Sequence, residues 1–157
     1  MDDTTRAIIE KITIRYEHPI TIAGKHTSNV FYNCLELSPN DLARLAATST
    51  GHLPHNIFDM AVGLAYTGIF YAAAIAGGRG VGILKADGTL SGPEVGGRKV
   101  VIVDDVICTG ARVRDAQERL EALGATVVGY ACIIDRSSGA LGSNDKALWS
   151  AFKTGLN

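Results

Sequence analysis

Residues 99–135 constrain the fold more than any other stretch, because they spell a buried strand, a turn, a helix and a second buried strand in immediate succession. KVVIVDD places four β-branched residues side by side. Such a run leaves no wet face, so it suits a strand covered on both sides. ARVRDAQERLEAL follows a short Cys-Thr-Gly turn and puts Val113, Ala116, Leu120 and Leu123 on one stripe, with Arg112, Asp115, Glu118, Arg119 and Glu121 elsewhere. Gly124 closes it, and TVVGYACIID is the next apolar run. Two strands joined through a helix run parallel, so the expected class is α/β.

The remaining sequence extends this alternation. Residues 3–11 predict a short helix capped by Asp3 or Thr4, and ITIRYEHPITIAGKHTSNVFYNCLEL predicts short antiparallel strands broken at His18-Pro19 and Ala23-Gly24. Ser38 or Asn40 is placed to cap a helix over DLARLAATSTGHL. IFDMAVGL predicts a strand, IFYAAAIAGG a helix ended by glycines, and GVGILKA another short strand. DGTLSGPEVGG has no apolar period and reads as a mobile surface loop, while SNDKALWSAFKTGLN leaves room for at most one helix. With 157 residues, a single domain with one core is expected.

Composition narrows the partners. A net charge of −1 with 46% hydrophobic and 20% charged residues argues against disorder and against a broad electrostatic grip on nucleic acid. The longest apolar run, residues 69–76, falls well short of the roughly 20 that a membrane helix needs, and the acidic start MDDTT is unlike a basic signal-peptide region. A soluble cytoplasmic protein is expected, with no membrane partner. Three widely spaced cysteines, Cys34, Cys108 and Cys132, give neither a complete disulfide set nor paired zinc-ligand spacing. Cys108 precedes a helix start, where a thiol can be activated, but a small residue in a tight loop is the plainer reading.

The chemistry is concentrated where KVVIVDD ends. Asp104 and Asp105 are adjacent carboxylates that repel each other and resist desolvation, which costs stability unless a ligand, a metal or water meets them. Cys108-Thr109-Gly110-Ala111-Arg112 then leads into a helix whose first backbone N–H groups lack partners and whose field favours an anion. Thr109 adds a hydroxyl, Gly110 permits close approach and Arg112 can add a charge-assisted bond. The pattern suits a sugar phosphate, with the acids accepting from vicinal hydroxyls and the turn holding the ester. Two further loops, residues 63–68 and Asp135-Arg136, fall at strand carboxyl ends, where parallel sheets bind ligands.

VVIVDDVICTGARVRDA resembles the phosphoribosyl-pyrophosphate (PRPP) signature of type I phosphoribosyltransferases. GLAYTGIFYAAAIA, ITIAGKHTSNVFYN, GATVVGYACIIDR and KADG resemble the pyrophosphate loop, hood segment, closing strand and mobile catalytic loop of the orotate phosphoribosyltransferase group within it. The resemblance implies a Rossmann-like parallel sheet flanked by helices, with a hood at about 12–37, a core at about 38–137 and a mobile loop at about 85–97. It implies Mg²⁺ brought with PRPP, a nucleobase as second substrate, and a homodimer. Asp104 and Asp105 would bind the ribose hydroxyls and Cys108 to Arg112 the 5′-phosphate. Tyr66, Thr67 and Gly68 would face pyrophosphate with Lys85 closing over it, and Arg136, Phe31, Tyr32 and Lys25 would approach the base. Asp104, Asp105 and Lys85 are thus the expected catalytic residues.

Several positions depart from the group's pattern. Thr67 stands where a pyrophosphate-loop lysine is usual, Ile22 where the hood has a lysine, and Cys108 and Arg112 where the phosphate loop has hydroxyl residues. The mobile loop is shortened and its histidine has no counterpart. Each lost charge facing a polyphosphate costs on the order of 1.5–3 kcal/mol. Two functions therefore stand: a phosphoribosyltransferase of the orotate type, or a regulatory protein that binds PRPP or a nucleotide on the same fold with weak or no transfer.

Overall fold

The computed structural model describes residues 1–22, 26–64 and 66–155. Helix α1 (Asp3–Ile12) begins at Asp2, whose carboxylate accepts from Thr5 N at 2.9 Å. The cap is thus one residue ahead of the expected Asp3. Strands β1 (Thr13–Ile22) and β2 (His26–Tyr32) form a separate antiparallel pair, with a register shift between Arg15 and Ile20. That shift spans Pro19, which has no N–H to give to a ladder. Helix α2 (Pro39–Thr50) is capped by Ser38 in a reciprocal box with Asp41 and has proline in its first turn.

The main sheet has six strands in the order β5-β4-β3-β6-β7-β8. From β3 (Met60–Leu64), helix α3 (Thr67–Ala76) crosses to β4 (Gly80–Leu84) on one side. From β6 (Lys99–Ile107), helix α4 (Ala111–Ala122) crosses to β7 (Thr126–Asp135) on the other side. The order in which strands are added therefore reverses between the parallel neighbours β3 and β6, which makes the carboxyl ends of these two strands the switch point where a crevice opens.

Each face of β6 supplies one core. Val101 and Val103 join Leu45 of α2 and Tyr71 and Ala72 of α3, whereas Val100 and Ile102 join Val113, Ala116 and Leu120 of α4. All four strand residues are wholly buried. At about 1.5–3 kcal/mol for each such side chain, this strand is a principal source of the fold's stability. Leu123, expected in the α4 stripe, is instead 56% exposed because the helix stops at Ala122 and Leu123 is its terminal cap.

Two elements differ from expectation. The segment after Lys85 contains β5 (Leu90–Ser91), antiparallel to β4, and Val95 is buried, so this glycine-rich stretch is partly built into the sheet edge. The residues expected to give at most a helix form β8 (Ala147–Lys153), parallel to β7, which carries the core beyond residue 137. Trp149 of β8 lies over Gly129 of β7, where any side chain would collide with the indole.

Candidate functional site

The acids lie within β6 rather than at its tip. On one side β6 remains paired with β7 through Ile107, but its pairing with β3 ends at Gly63–Val103. From Asp104 onward that edge is open, which turns two strand residues into the wall of a crevice. Tightness below them comes from Gly68: a Cβ there would fall 2.6 Å from Val103 O and 3.1 Å from Asp104 Cα. The first turn of α3 thus sits directly on the backbone that presents the acids.

A cavity of about 370 Å³ opens at this point. Asp104, Asp105, Cys108, Thr109, Gly110, Ala111 and Arg112 line one side, and Phe31, Tyr32 and Arg136 line it as well. Ile22 and His26 of the β1–β2 pair complete the wall. The structure therefore gathers the ribose, phosphate and base residues expected from sequence, except Lys25, which lies outside the described residues. Tyr66, Thr67, Gly68 and Lys85 are not in that lining. Tyr66 is 83% exposed, and Lys85 opens a tight turn in which its carbonyl accepts from Gly88 N at 2.9 Å.

Asp104 is 2% exposed and Asp105 half-buried. Backbone bonds orient both: Asp105 N donates to Asp104 Oδ1 at 2.9 Å and Val106 N to Asp105 Oδ1 at 2.8 Å. Burial first, and then the neighbouring Asp105 charge, push Asp104 well above the usual carboxylate range, with Arg112 opposing them. Arg112 Nη1 lies 3.2 Å from Asp104 Oδ2. Such an acid becomes an anion readily only when a cation or hydroxyl donors meet it.

The phosphate-type turn is held from behind. Gly110 caps α4 with φ 83°, and a side chain there would strike Leu141. Arg114 fixes the same turn: Nη1 donates to Thr109 O at 3.1 Å, Nη2 to Ala140 O at 2.6 Å, and the guanidinium pairs with Asp145 at 3.0 Å through both Nε and Nη2. Sequence reading missed this clamp, because Asp145 is 31 residues away and nothing local marks the pair. Cys108 is not an activated thiol; burial pushes it up, and the Arg136 charge offsets that only in part.

Arg136 is the largest fully buried side chain. Its Nη1 donates to Val30 O at 3.0 Å, Nη2 to Ser28 Oγ at 2.8 Å and Nε to Gly155 O at 3.1 Å, while the guanidinium lies over the Tyr32 ring at 5.3 Å. It thereby ties the end of β7 to β2. Among the described residues, no three His, Cys, Asp or Glu side chains gather as a metal-binding group.

Comparisons with known proteins identify the family. A model described as a phosphoribosyl transferase domain matches residues 79–151. The orotate phosphoribosyltransferase of a Nocardioides species is 37% identical over 125 residues, covering 73% of this chain and 69% of that protein. Among solved structures, Leishmania donovani UMP synthase superimposes with a TM-score of 0.79 at 24% identity, covering 95% of this chain and 35% of that one. Mycobacterium tuberculosis orotate phosphoribosyltransferase in complex with PRPP superimposes with a TM-score of 0.73 at 19% identity, covering 96% and 94%. These likenesses define the type I phosphoribosyltransferase fold. By its sequence relatives, the chain belongs to the orotate phosphoribosyltransferase family.

Proposed function

We propose that this chain transfers the 5-phosphoribosyl group of PRPP to orotate, releasing pyrophosphate, in pyrimidine nucleotide synthesis. The single observation that carries this reading is the cavity at the β3/β6 switch point, which brings the acid pair, the amide-lined turn and the aromatic pair of β2 to one place. Family membership supports the choice of base.

The chemistry follows from the residues. The base nitrogen forms a bond to the ribose anomeric carbon and gives up its proton to water or the departing pyrophosphate, while the bond from that carbon to pyrophosphate breaks, the electron pair leaving with pyrophosphate. Positive charge grows on the ribose, and Asp104 and Asp105, holding its 2- and 3-hydroxyls, place negative charge beside it. The Thr109–Arg112 amides and hydroxyl hold the 5′-phosphate, fixing the sugar against the displacement. Phe31, Tyr32, Ile22 and His26 would flank the base, with Arg136 and Lys25 at that end. Mg²⁺, carried by PRPP against Asp105 and Asp104, would supply neutralisation of charge on the leaving group. Lys85 and the Tyr66–Gly68 turn would face the pyrophosphate.

The β1–β2 pair would serve as the hood, and the exposed turn at residues 85–89, ahead of the strand that anchors the rest of the segment, would close over the substrate. Tyr66 and Phe70, one turn apart at the start of α3, are 83% and 57% exposed and support a homodimer contact beside the site. No helix among the described residues is long and apolar enough to cross a membrane. Pyrophosphate release from Mg²⁺-PRPP across a panel of bases tests the proposal. Release dependent on orotate is expected. Thermal stabilisation by PRPP with no release for any base would identify a PRPP-binding regulatory protein instead.

A further inference from the structure

Arg112 occupies the second position of α4, where unbonded amides and the helix dipole favour an anion and disfavour a cation. No acidic residue sits in that first turn to offset it. The guanidinium is instead placed against Asp104, with Nη1 3.2 Å from Oδ2 and 3.5 Å from Oδ1. The partners are unequal: the carboxylate side chain is 2% exposed and the arginine side chain 58%. An arginine rooted in solvent thus reaches along the cavity wall to a buried acid. Thr109 acts in the same way on the turn, its Oγ1 accepting from Ala111 N at 3.2 Å. The cavity's own side chains thus engage both a proposed sugar-facing acceptor and a proposed phosphate-facing donor.

Resting on the function proposed above, we infer that Arg112 is a two-position residue that couples recognition of the 5′-phosphate to release of the ribose-binding acid. Without ligand, its guanidinium rests on Asp104. When a ribose 5-phosphate ester enters, the guanidinium passes to the phosphate seated at the α4 amides, and the Asp104 oxygens turn to the sugar hydroxyls. A 5′-phosphate gives the arginine an anionic partner in the field that favours an anion, whereas a ribosyl ligand without it must break the Asp104 pair and brings no phosphate in exchange. The exchange therefore selects against dephosphorylated nucleosides, beyond what loss of the phosphate contacts alone would do.

Calorimetric titration of the full chain and its R112Q variant with uridine 5′-monophosphate and with uridine reads the exchange, with saturation-transfer NMR for the weaker ligand. For R112Q, affinity for the monophosphate should fall roughly ten- to a hundredfold, the span of one charge-assisted bond. Affinity for uridine should hold or rise. Equal losses for both ligands, or no loss for the monophosphate, would overturn the exchange while leaving the proposed function standing. A wild-type chain that binds neither ligand would overturn both. In the ligand-free protein, melting of R112Q, D104N and the double variant should be non-additive, and strict additivity would remove the ion pair on which the exchange begins.

Discussion

The two arms of the crevice are built to different degrees. Along β6 and α4, acids, amides, a hydroxyl and a guanidinium converge on one cavity, and backbone bonds, Arg114 and Arg136 hold them from behind. Along β3 and β4 the corresponding segments are sparse. Thr67 stands in place of a cation, Tyr66 projects outward, and Lys85 sits on an exposed turn outside the cavity lining. The contrast teaches that the proposed ribose-phosphate half is assembled around one cavity within the chain, while the proposed pyrophosphate half would depend on what the substrate contributes. Apart from the Arg112 exchange, the groups of the first arm are already held in place, so affinity should reside mostly there.

The largest effect is expected from D104N/D105N. Losing two charge-assisted contacts of about 1.5–3 kcal/mol each should lower kcat/KM for PRPP by roughly a hundred- to ten-thousandfold and abolish thermal stabilisation by PRPP. A variant that keeps activity within tenfold would erase the distinction between the arms. Next is R136M, which leaves Val30 O, Gly155 O and Ser28 Oγ without their buried donor. Unfolding in urea should show a loss of about 2–5 kcal/mol, because each buried acceptor left without a donor costs about 1–3 kcal/mol. A change under about 1 kcal/mol would mean that this arginine does not tie β2 to the sheet.

A smaller gain should come from strengthening the sparse arm. T67K restores a cation at the first residue of α3 and should raise kcat/KM for PRPP about tenfold, as one added contact to a polyphosphate would. An unchanged or lower value in steady-state assays would show that this arm is not short of charge. The mildest test is pH. Because burial and Asp105 raise the folded pKa of Asp104 above its unfolded value near 3.9, the folded state holds the extra proton between those two values. Stability of the ligand-free protein should therefore fall as pH rises from about 4 through the raised value, and D104N should flatten that fall. Urea midpoints measured across the window check the sign; an identical slope in both proteins contradicts it.

Legibility in the sequence follows the same division. The β6–α4 unit could be read because its signals are contiguous: β-branched run, acid pair, turn, amphipathic helix, glycine stop. Strand β8 could not, since ALWSAFK follows a polar stretch and is a strand only by virtue of lying beside β7. Leu123 shared the helical stripe but not the helix. Ile22 and His26 acquire their place in the cavity through the docking of the β1–β2 pair, which depends on a bond spanning 108 residues between Arg136 and Ser28. Arg136 itself was recognisable as important at the end of β7, but its ties to Val30 and Gly155 are visible only in three dimensions.

A crystal structure of the chain soaked with ribose 5-phosphate would test the central claim most directly. The phosphate is expected against the backbone amides at Thr109 to Arg112, with the sugar's 2- and 3-hydroxyls on Asp104 and Asp105. A phosphate bound elsewhere, or a turn left vacant at saturating ligand with Arg112 still on Asp104, would contradict it.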